Sequence, residues 1–377
     1  MLQYQFIQNQ AELDEFVKLI SNSKILAIDT EFMRRRTLYP ESALFQVFDG
    51  AHLALIDPLI DMDFSALWAL FNSQEVIKII HSPSEDIEVF QKFAGIVPSP
   101  LFDTQFALQL LGEGNCVGFA NMVKNLLDVE IDKSMSRTDW LKRPLSDKQL
   151  EYAAADVFYL LPCFEKLILK IEEKQLFDVV ISESELIAKK RAFRVPDEYL
   201  YLNIKNVWQL RGRDLAVLRE LAAWRMNKAE KKNISVNFIL KELNMVEIAK
   251  RRPSSLSSMR NIPEVDAMEV NRSGKEILAC IEAGKAVSED VLPSKVKRLI
   301  DFAQYKKAAK EIKSDITDVA KKFDLPVDVI ASKKQINQVI SWNWKLSDKE
   351  REVMIKPDLF QGWRKQLIGD ALKKWEI

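Results

Sequence analysis

The sequence predicts an α/β domain with a mixed sheet, followed by an all-helical half, and three observations carry that prediction. Apolar runs at residues 43–48 and 52–56 flank Asp49-Gly50, a dipeptide that favours a tight turn between antiparallel strands. After Pro58, short apolar runs alternate with stretches of helical periodicity, the pattern of strands covered by helices. Beyond Pro196 strand signals nearly vanish and apolar residues recur at helical spacing.

Taken in order, residues 4–7 read as a short strand and residues 11–21 as an amphipathic helix with Leu13, Phe16, Val17 and Ile20 on one face. The run 25–29 is the next strand and feeds the hairpin. A helix at 64–72, a strand at 76–81 and a helix at 85–93 follow; Ser84 is expected to cap the last of these and so place Asp86 in its first turn. Residues 101–103 lead into a helix at 104–111, and another spans 118–127. A further helix starts at Ser146, where Gln149 three residues later suggests a capping box, and Pro162 is expected to bend or interrupt it. The charged stretch 183–194 and Pro196-Asp-Glu mark a boundary. The expected organisation is a catalytic domain at 1–195, a linker at 196–207, and helical domains at 208–289 and 290–377. A repeat at an offset of 91 residues supports two bundles: Ile234, Val236 and Ile239 match Leu325, Val327 and Ile330, and Ile248 matches Val339.

Composition narrows the class of function. No run approaches the ~20 apolar residues of a membrane span, and no basic-then-apolar leader opens the chain, so a cytoplasmic protein without a membrane partner is expected. Three scattered cysteines and two histidines argue against a disulfide framework or a Cys/His zinc site, so any metal would sit on oxygens. Residues 1–200 hold 20 Lys/Arg against 31 Asp/Glu and the remainder 35 against 24. Such a split suggests an acidic, cation-binding half joined to a basic half suited to polyanions, although basic helices are also common as solvated faces.

Three acidic motifs focus the first half. In Asp29-Thr-Glu31 the acids lie two apart on a strand and so share a face. Alone this means little, because Asp-x-Glu recurs at Asp86, Asp128 and Asp348. Asp86, in the sequence His81-Ser-Pro-Ser-Glu-Asp86, falls beside Asp29 if the two strands are parallel neighbours; it also suits the positive end of a helix. Tyr152 and Asp156 are four apart on one helix face, and the three alanines between them allow close approach to a neighbour. No other tyrosine in the chain is followed by Asp at that spacing.

Asp29-x-Glu31, Asp86 and Tyr152-x-x-x-Asp156, in that order and on those elements, resemble the three motifs of the DEDD 3′→5′ exonucleases, in the subgroup with Tyr in the third motif. With Ser136-Arg-Thr-Asp-Trp140-Leu-Lys-Arg-Pro144 between them, they are similar to the bacterial ribonuclease D family. Residues 208–284 resemble an HRDC helical domain and 290–377 a diverged second one. The resemblance implies an RNase H-like sheet carrying Asp29, Glu31, Asp86 and Asp156 around two divalent cations, magnesium or manganese, with Tyr152 orienting the attacking water. It implies an enzyme that trims RNA 3′ ends, releasing 5′-monophosphates, with precursor tRNA as substrate; the protein is expected to be a monomer. Two rivals stand beside it: a DNA 3′→5′ exonuclease of the same fold, since the chemistry is at phosphate, and a non-catalytic RNA-binding adaptor. The exonuclease domain alone, ending near Glu198, is expected to act on short RNA.

Accessory residues carry paired readings. Arg34-Arg-Arg36 is a phosphate clamp or a solvated loop, and Phe32 a base wedge or, by preference, core. His81 reads as a satisfied strand-end histidine and Arg137 as a substrate contact of undetermined direction. Lys228, Lys231, Lys232, Lys306, Lys307, Lys310 and Lys313 are expected to meet phosphates without reading bases.

Overall fold

The computed structural model describes residues 2–376. Its first half is built on a six-stranded sheet of order β1-β4-β3-β2-β5-β6. In chain order it contains β1 (Gln5–Ile7), α1 (Gln10–Ile20), β2 (Ile25–Met33), β3 (Glu41–Phe48), β4 (Leu53–Ile56), α2 (Ser65–Asn72), β5 (Ile77–Ile80), α3 (Ser84–Phe93) and β6 (Leu101–Asp103). β2, β3 and β4 form the antiparallel meander, and β1, β5 and β6 join it in parallel. Four helices complete the layer: α4 (Thr104–Leu110), α5 (Phe119–Leu127), α6 (Asp147–Glu173) and α7 (Phe177–Ala192).

β2 runs well past its apolar start. β3 pairs with it as far as Met33, whereas β5 reaches only Ala27, so the strand projects beyond its neighbour on that side. Alternation then sorts its side chains. Leu26 and Ile28 enter the core formed with Leu13, Phe16 and Ile20 of α1 and with Phe71 and Phe90, while Ala27 faces the opposite core with Ala153, Val157 and Leu160 of α6.

Two local expectations need correction. Ser84 is not the cap of α3: Pro83 occupies that position without a side-chain bond, and the Ser84 hydroxyl accepts instead from Arg191 at 2.7 Å. Pro162 does not interrupt α6, whose 27 residues run unbroken from Asp147 to Glu173. The burial of Leu160, Leu161, Cys163 and Phe164 around the proline offsets the ~3 kcal/mol that a missing donor and a ring clash cost a helix interior.

The second half holds two bundles and no strand among the described residues. The first comprises α8 (Arg213–Lys232), α9 (Val236–Ile239), α10 (Glu242–Arg251), α11 (Leu256–Arg260) and α12 (Ala267–Ala286). The second comprises α13 (Tyr305–Lys322), α14 (Val327–Ile330), α15 (Lys333–Lys345), α16 (Asp348–Val353) and α17 (Gly362–Leu372). The repeat is real in three dimensions: α9 and α14 are four-residue turns in matching places, and Ile239, Ile248, Ile330 and Val339 are all buried. Residues 196–207 are not a free linker. They form 3-10 turns whose Tyr201, Ile204 and Val207 enter the core of the first bundle, because three apolar side chains in one short stretch find cover there. No helix among the described residues is long and apolar enough to cross a membrane.

Candidate active site

The site forms where β2 outruns β5. Asp29 and Glu31 lie on the face of β2 turned to α6, and α6 approaches closely because Ala153 and Ala154 are fully buried against the sheet. Asp156 therefore meets them: carboxylate oxygens of Asp29, Glu31 and Asp156 all lie within 4.8 Å of one another. Asp86 stands outside this trio. It is buried in the first turn of α3 and accepts a 2.5 Å hydrogen bond from the Thr30 hydroxyl. Thr30, between the two acids of β2, points by alternation to the α3 side, so one strand addresses both helices.

Every carboxyl of the cluster is raised by burial, and mutual repulsion adds to this at Asp29 and Glu31. Burial first, then Asp86, Asp156 and Glu31, push Asp29 well above the usual carboxylate range, and burial with Asp156 and Asp86 does the same to Glu31. Burial raises Asp156 to about 7 and Asp86 to about 6, the Thr30 hydrogen bond opposing the latter. Three clustered acids with Asp86 beside them, all with oxygen donors, suit a hard divalent cation. The Tyr152 hydroxyl is raised by burial and by Asp156, Glu31 and Asp29, so it stays protonated.

The surroundings fix the geometry. Ser146 and Gln149 form the expected capping box at the start of α6, and the Gln149 amide donates to Thr138 Oγ1 at 3.2 Å. That tie holds the 136–140 stretch against the helix, where the buried Trp140 ring lies 6.0 Å from Tyr152. Opposite Glu31 and Phe32, β3 carries a bulge at Ala43. Arg143 takes the Ala43 carbonyl at 2.6 Å and grips the buried Asp57 through two bonds of 2.6 and 2.7 Å. Asp103 accepts from the Ser82 backbone at 2.9 Å, where Ser82 sits at φ 61°, and so pins the turn that aims Asp86.

A pocket of about 280 Å³ opens here, lined by Asp29, Tyr152, Asp156, His81, Lys133 and Ser136. His81 is satisfied as expected, with Nδ1 2.9 Å from the Thr104 hydroxyl and Nε2 2.9 Å from the Val117 carbonyl. The carbonyl only accepts, so Nε2 carries the proton; burial lowers the ring to about 4 and keeps it neutral. Thr30, Asp103 and Lys133 escaped the sequence reading. For Thr30 the signal was its place between two acids.

Each arginine of the basic triplet has a protein neighbour, although Arg35 and Arg36 stay exposed. Arg34 pairs with Glu88 at 2.7 Å, Arg35 with Asp139 at 3.5 Å, and Arg36 lies 5.7 Å from the Phe238 ring. Phe32 packs on the core, and Arg137 is exposed with no partner among the described residues. Lys228 is not available to phosphate, because Glu276 at 2.7 Å and Ser273 at 3.0 Å hold it. Lys231, Lys232, Lys306, Lys307, Lys310 and Lys313 remain exposed.

Comparison with known proteins agrees with this geometry. Residues 4–172 match the 3′-5′ exonuclease family, 214–281 the HRDC domain, and 303–372 the C-terminal HRDC domain of ribonuclease D. The chain is 40% identical to ribonuclease D of Escherichia coli (strain K12) over 371 residues, 98% of each protein. It is 39% identical to ribonuclease D of Cronobacter turicensis, covering 93% of this chain and 94% of that one. The crystal structure of the Escherichia coli enzyme, described as an exoribonuclease involved in structured RNA processing, superposes with a TM-score of 0.92 over 99% of this chain and 98% of that chain. Motifs, fold and full-length similarity together make this chain a member of the ribonuclease D family of 3′→5′ exoribonucleases.

Proposed function

We propose that Asp29, Glu31, Asp86, Tyr152 and Asp156 form the catalytic centre, and that the chain removes nucleotides from RNA 3′ ends, releasing 5′-monophosphates. The observation that carries this reading is the trio of carboxylates, Asp156 buried and Asp29 and Glu31 half-buried, with oxygens within 4.8 Å of one another. Asp29, Glu31 and Asp156 would hold one divalent cation, and Asp86, steadied by Thr30, would serve a second. Magnesium or manganese bound there supplies charge neutralisation and Lewis acidity for an in-line displacement at phosphorus.

The chain's own groups do the rest. Tyr152, fixed by Trp140 and kept protonated, orients the attacking water and does not act as its base. Neutral His81 holds the pocket wall, and Lys133, exposed at its edge, faces the incoming phosphate. The substrate is a 3′-extended precursor tRNA, and the protein acts as a cytoplasmic monomer. On this reading the chain divides into an exonuclease domain at 1–195, a first helical domain that takes in 196–207 and ends at 289, and a second at 290–377.

The test is product analysis on 3′-extended tRNA with magnesium or manganese, alongside matched RNA and DNA oligonucleotides. Asp29→Asn is expected to cut hydrolysis by at least roughly 10²–10³-fold, the scale of losing one transition-state electrostatic contact, while RNA binding survives. Faster loss of DNA than RNA, or an Asp29→Asn protein that still trims, overturns the reading.

A further inference from the structure

A cleft of about 880 Å³ lies away from the carboxylates, between the end of α7, the 3-10 turns at 197–203, the helix-free segment at 292–298 and the second bundle. None of the five proposed catalytic residues lines it. Its volume is near the top of the roughly 300–1,000 Å³ range of ligand sites.

Two chemistries meet in it. Half-buried aromatic rings form the walls: Tyr199 on one side, and Phe302 with Trp344 on the other, their centroids 5.4 Å apart at 41°. Lysines stand around them. Lys295, Lys297, Lys345 and Lys356 are exposed and make no ion pair among the described residues, and the Lys297 ammonium lies 5.5 Å from the Phe302 ring. The acids nearby are engaged: Asp358 pairs with Lys190 at 2.9 Å, and Glu350 closes the capping box of α16 with Ser347. The cleft is left net positive.

We propose that this cleft is a second RNA site, which takes a short single-stranded stretch with bases against Trp344, Phe302 and Tyr199 and phosphates on the four lysines. The inference rests on the RNA reading above. Aromatic platforms within a positive groove are the chemistry of single-strand binding, because every base has a stackable face and every linkage a charge. A duplex hides those faces. An apolar peptide would leave four desolvated ammonium groups without partners.

The test uses the full chain, without divalent cation so that nothing is hydrolysed, and a fluorescein-labelled oligoadenylate. Replacing both Lys295→Gln and Lys297→Gln is expected to lower the log–log salt slope of binding by about 1.4, from about 0.7 for each single-strand phosphate contact. Trp344→Leu is expected to weaken binding by roughly 5- to 150-fold, the loss of one stacked base. A 4-thiouridine oligonucleotide irradiated with the protein should crosslink to the peptides bearing Phe302 or Trp344. If near-ultraviolet circular dichroism shows that Trp344→Leu misfolds, the lysine pair and the crosslinks decide. Unchanged affinity and slope in the lysine variant, crosslinks only elsewhere, or stronger displacement by polyglutamate than by RNA overturns the proposal. Since binding is read without catalysis, a failure here leaves the hydrolytic assignment standing, and a failure of hydrolysis leaves this measurement valid.

Discussion

In the first bundle Leu218, Leu221, Ile248 and Ile281 pack on one another and on Tyr201, Ile204 and Val207 in a core of their own. In the second, Ile316, Val339 and Ile368 belong to a core that continues into Phe102, Phe106 and Val180 of the exonuclease domain, where the Phe106 and Trp363 rings lie 6.1 Å apart. The buried arginines show the same difference. Arg225 donates to the Leu240 carbonyl at 3.2 Å within its bundle. Arg364 closes the equivalent turn through the Ile330 and Val329 carbonyls, at 2.8 and 3.1 Å, and also pairs with Glu183 of α7. The first bundle meets the catalytic domain through polar bonds instead: Ser235 N–H to the Arg36 carbonyl at 2.7 Å, Tyr39 N–H to Asn233 at 3.0 Å, and Arg194 to Glu230 at 2.7 Å. Two copies of one motif thus take different roles: one extends the catalytic core, and the other is attached through the β2–β3 connection and Arg194.

The sharpest way to break this comparison is to cut the chain after Glu198. The sequence alone suggested that the remaining domain acts on short RNA, but the shared core predicts otherwise. Removing the second bundle bares Phe106 and its neighbours, at about 1.5–3 kcal/mol for each large apolar side chain uncovered, so the fragment should be insoluble or unfolded by circular dichroism. A well-folded, active fragment would show that the cores are separable. Next in size is Arg364→Met, which leaves two carbonyls without their donor and Glu183 with the Trp363 indole but no cation, and should cost about 3–5 kcal/mol in denaturant unfolding. A loss below 1 kcal/mol would place the joint in the apolar contacts alone.

Gly284→Ala probes the other copy. A Cβ there would lie 2.5 Å from Val217 Cα on α8, so the substitution should destabilise the first bundle by about 1–3 kcal/mol. In calorimetry the first of two transitions should move and the exonuclease transition should stay; a joint shift would mean one cooperative unit.

The last effect is electrostatic and should move only the exonuclease transition. Asp156 and Asp86 hold protons up to about 7 and about 6 in the folded chain, against 3.8 ordinarily, so the folded state binds more protons across that interval. Stability of the metal-free protein should therefore fall as pH rises from about 4 to about 7, and fall less in Asp156→Asn, read as Tm against pH. A divalent cation that binds the folded chain should reverse the fall, and an equal shift in both transitions would contradict the division.

Much of the site was legible because its spacings are local. Strand alternation pairs Asp29 with Glu31, and one helical turn joins Tyr152 to Asp156. The repeat was legible for the same reason, since each bundle writes its core in helical spacing. The supporting contacts were not. Thr30 and Asp86 are 56 residues apart, Arg143 and Asp57 86, and Arg364 and Glu183 181, and no periodicity links positions at such separations. Ser84 illustrates the limit: a sound cap signal yielded to Arg191, which arrives from 107 residues away.

By itself, then, the sequence determined the strand and helix order, the carboxylates and tyrosine of the candidate site, and the doubling of the helical motif, because propensity and periodicity act over a few residues. Only the tertiary structure decided that β2 outruns β5, that Thr30 turns Asp86 toward the cluster, and that one bundle shares the catalytic core while its copy does not. Those outcomes depend on which apolar faces find each other across the chain, and burial is a property of the packed whole.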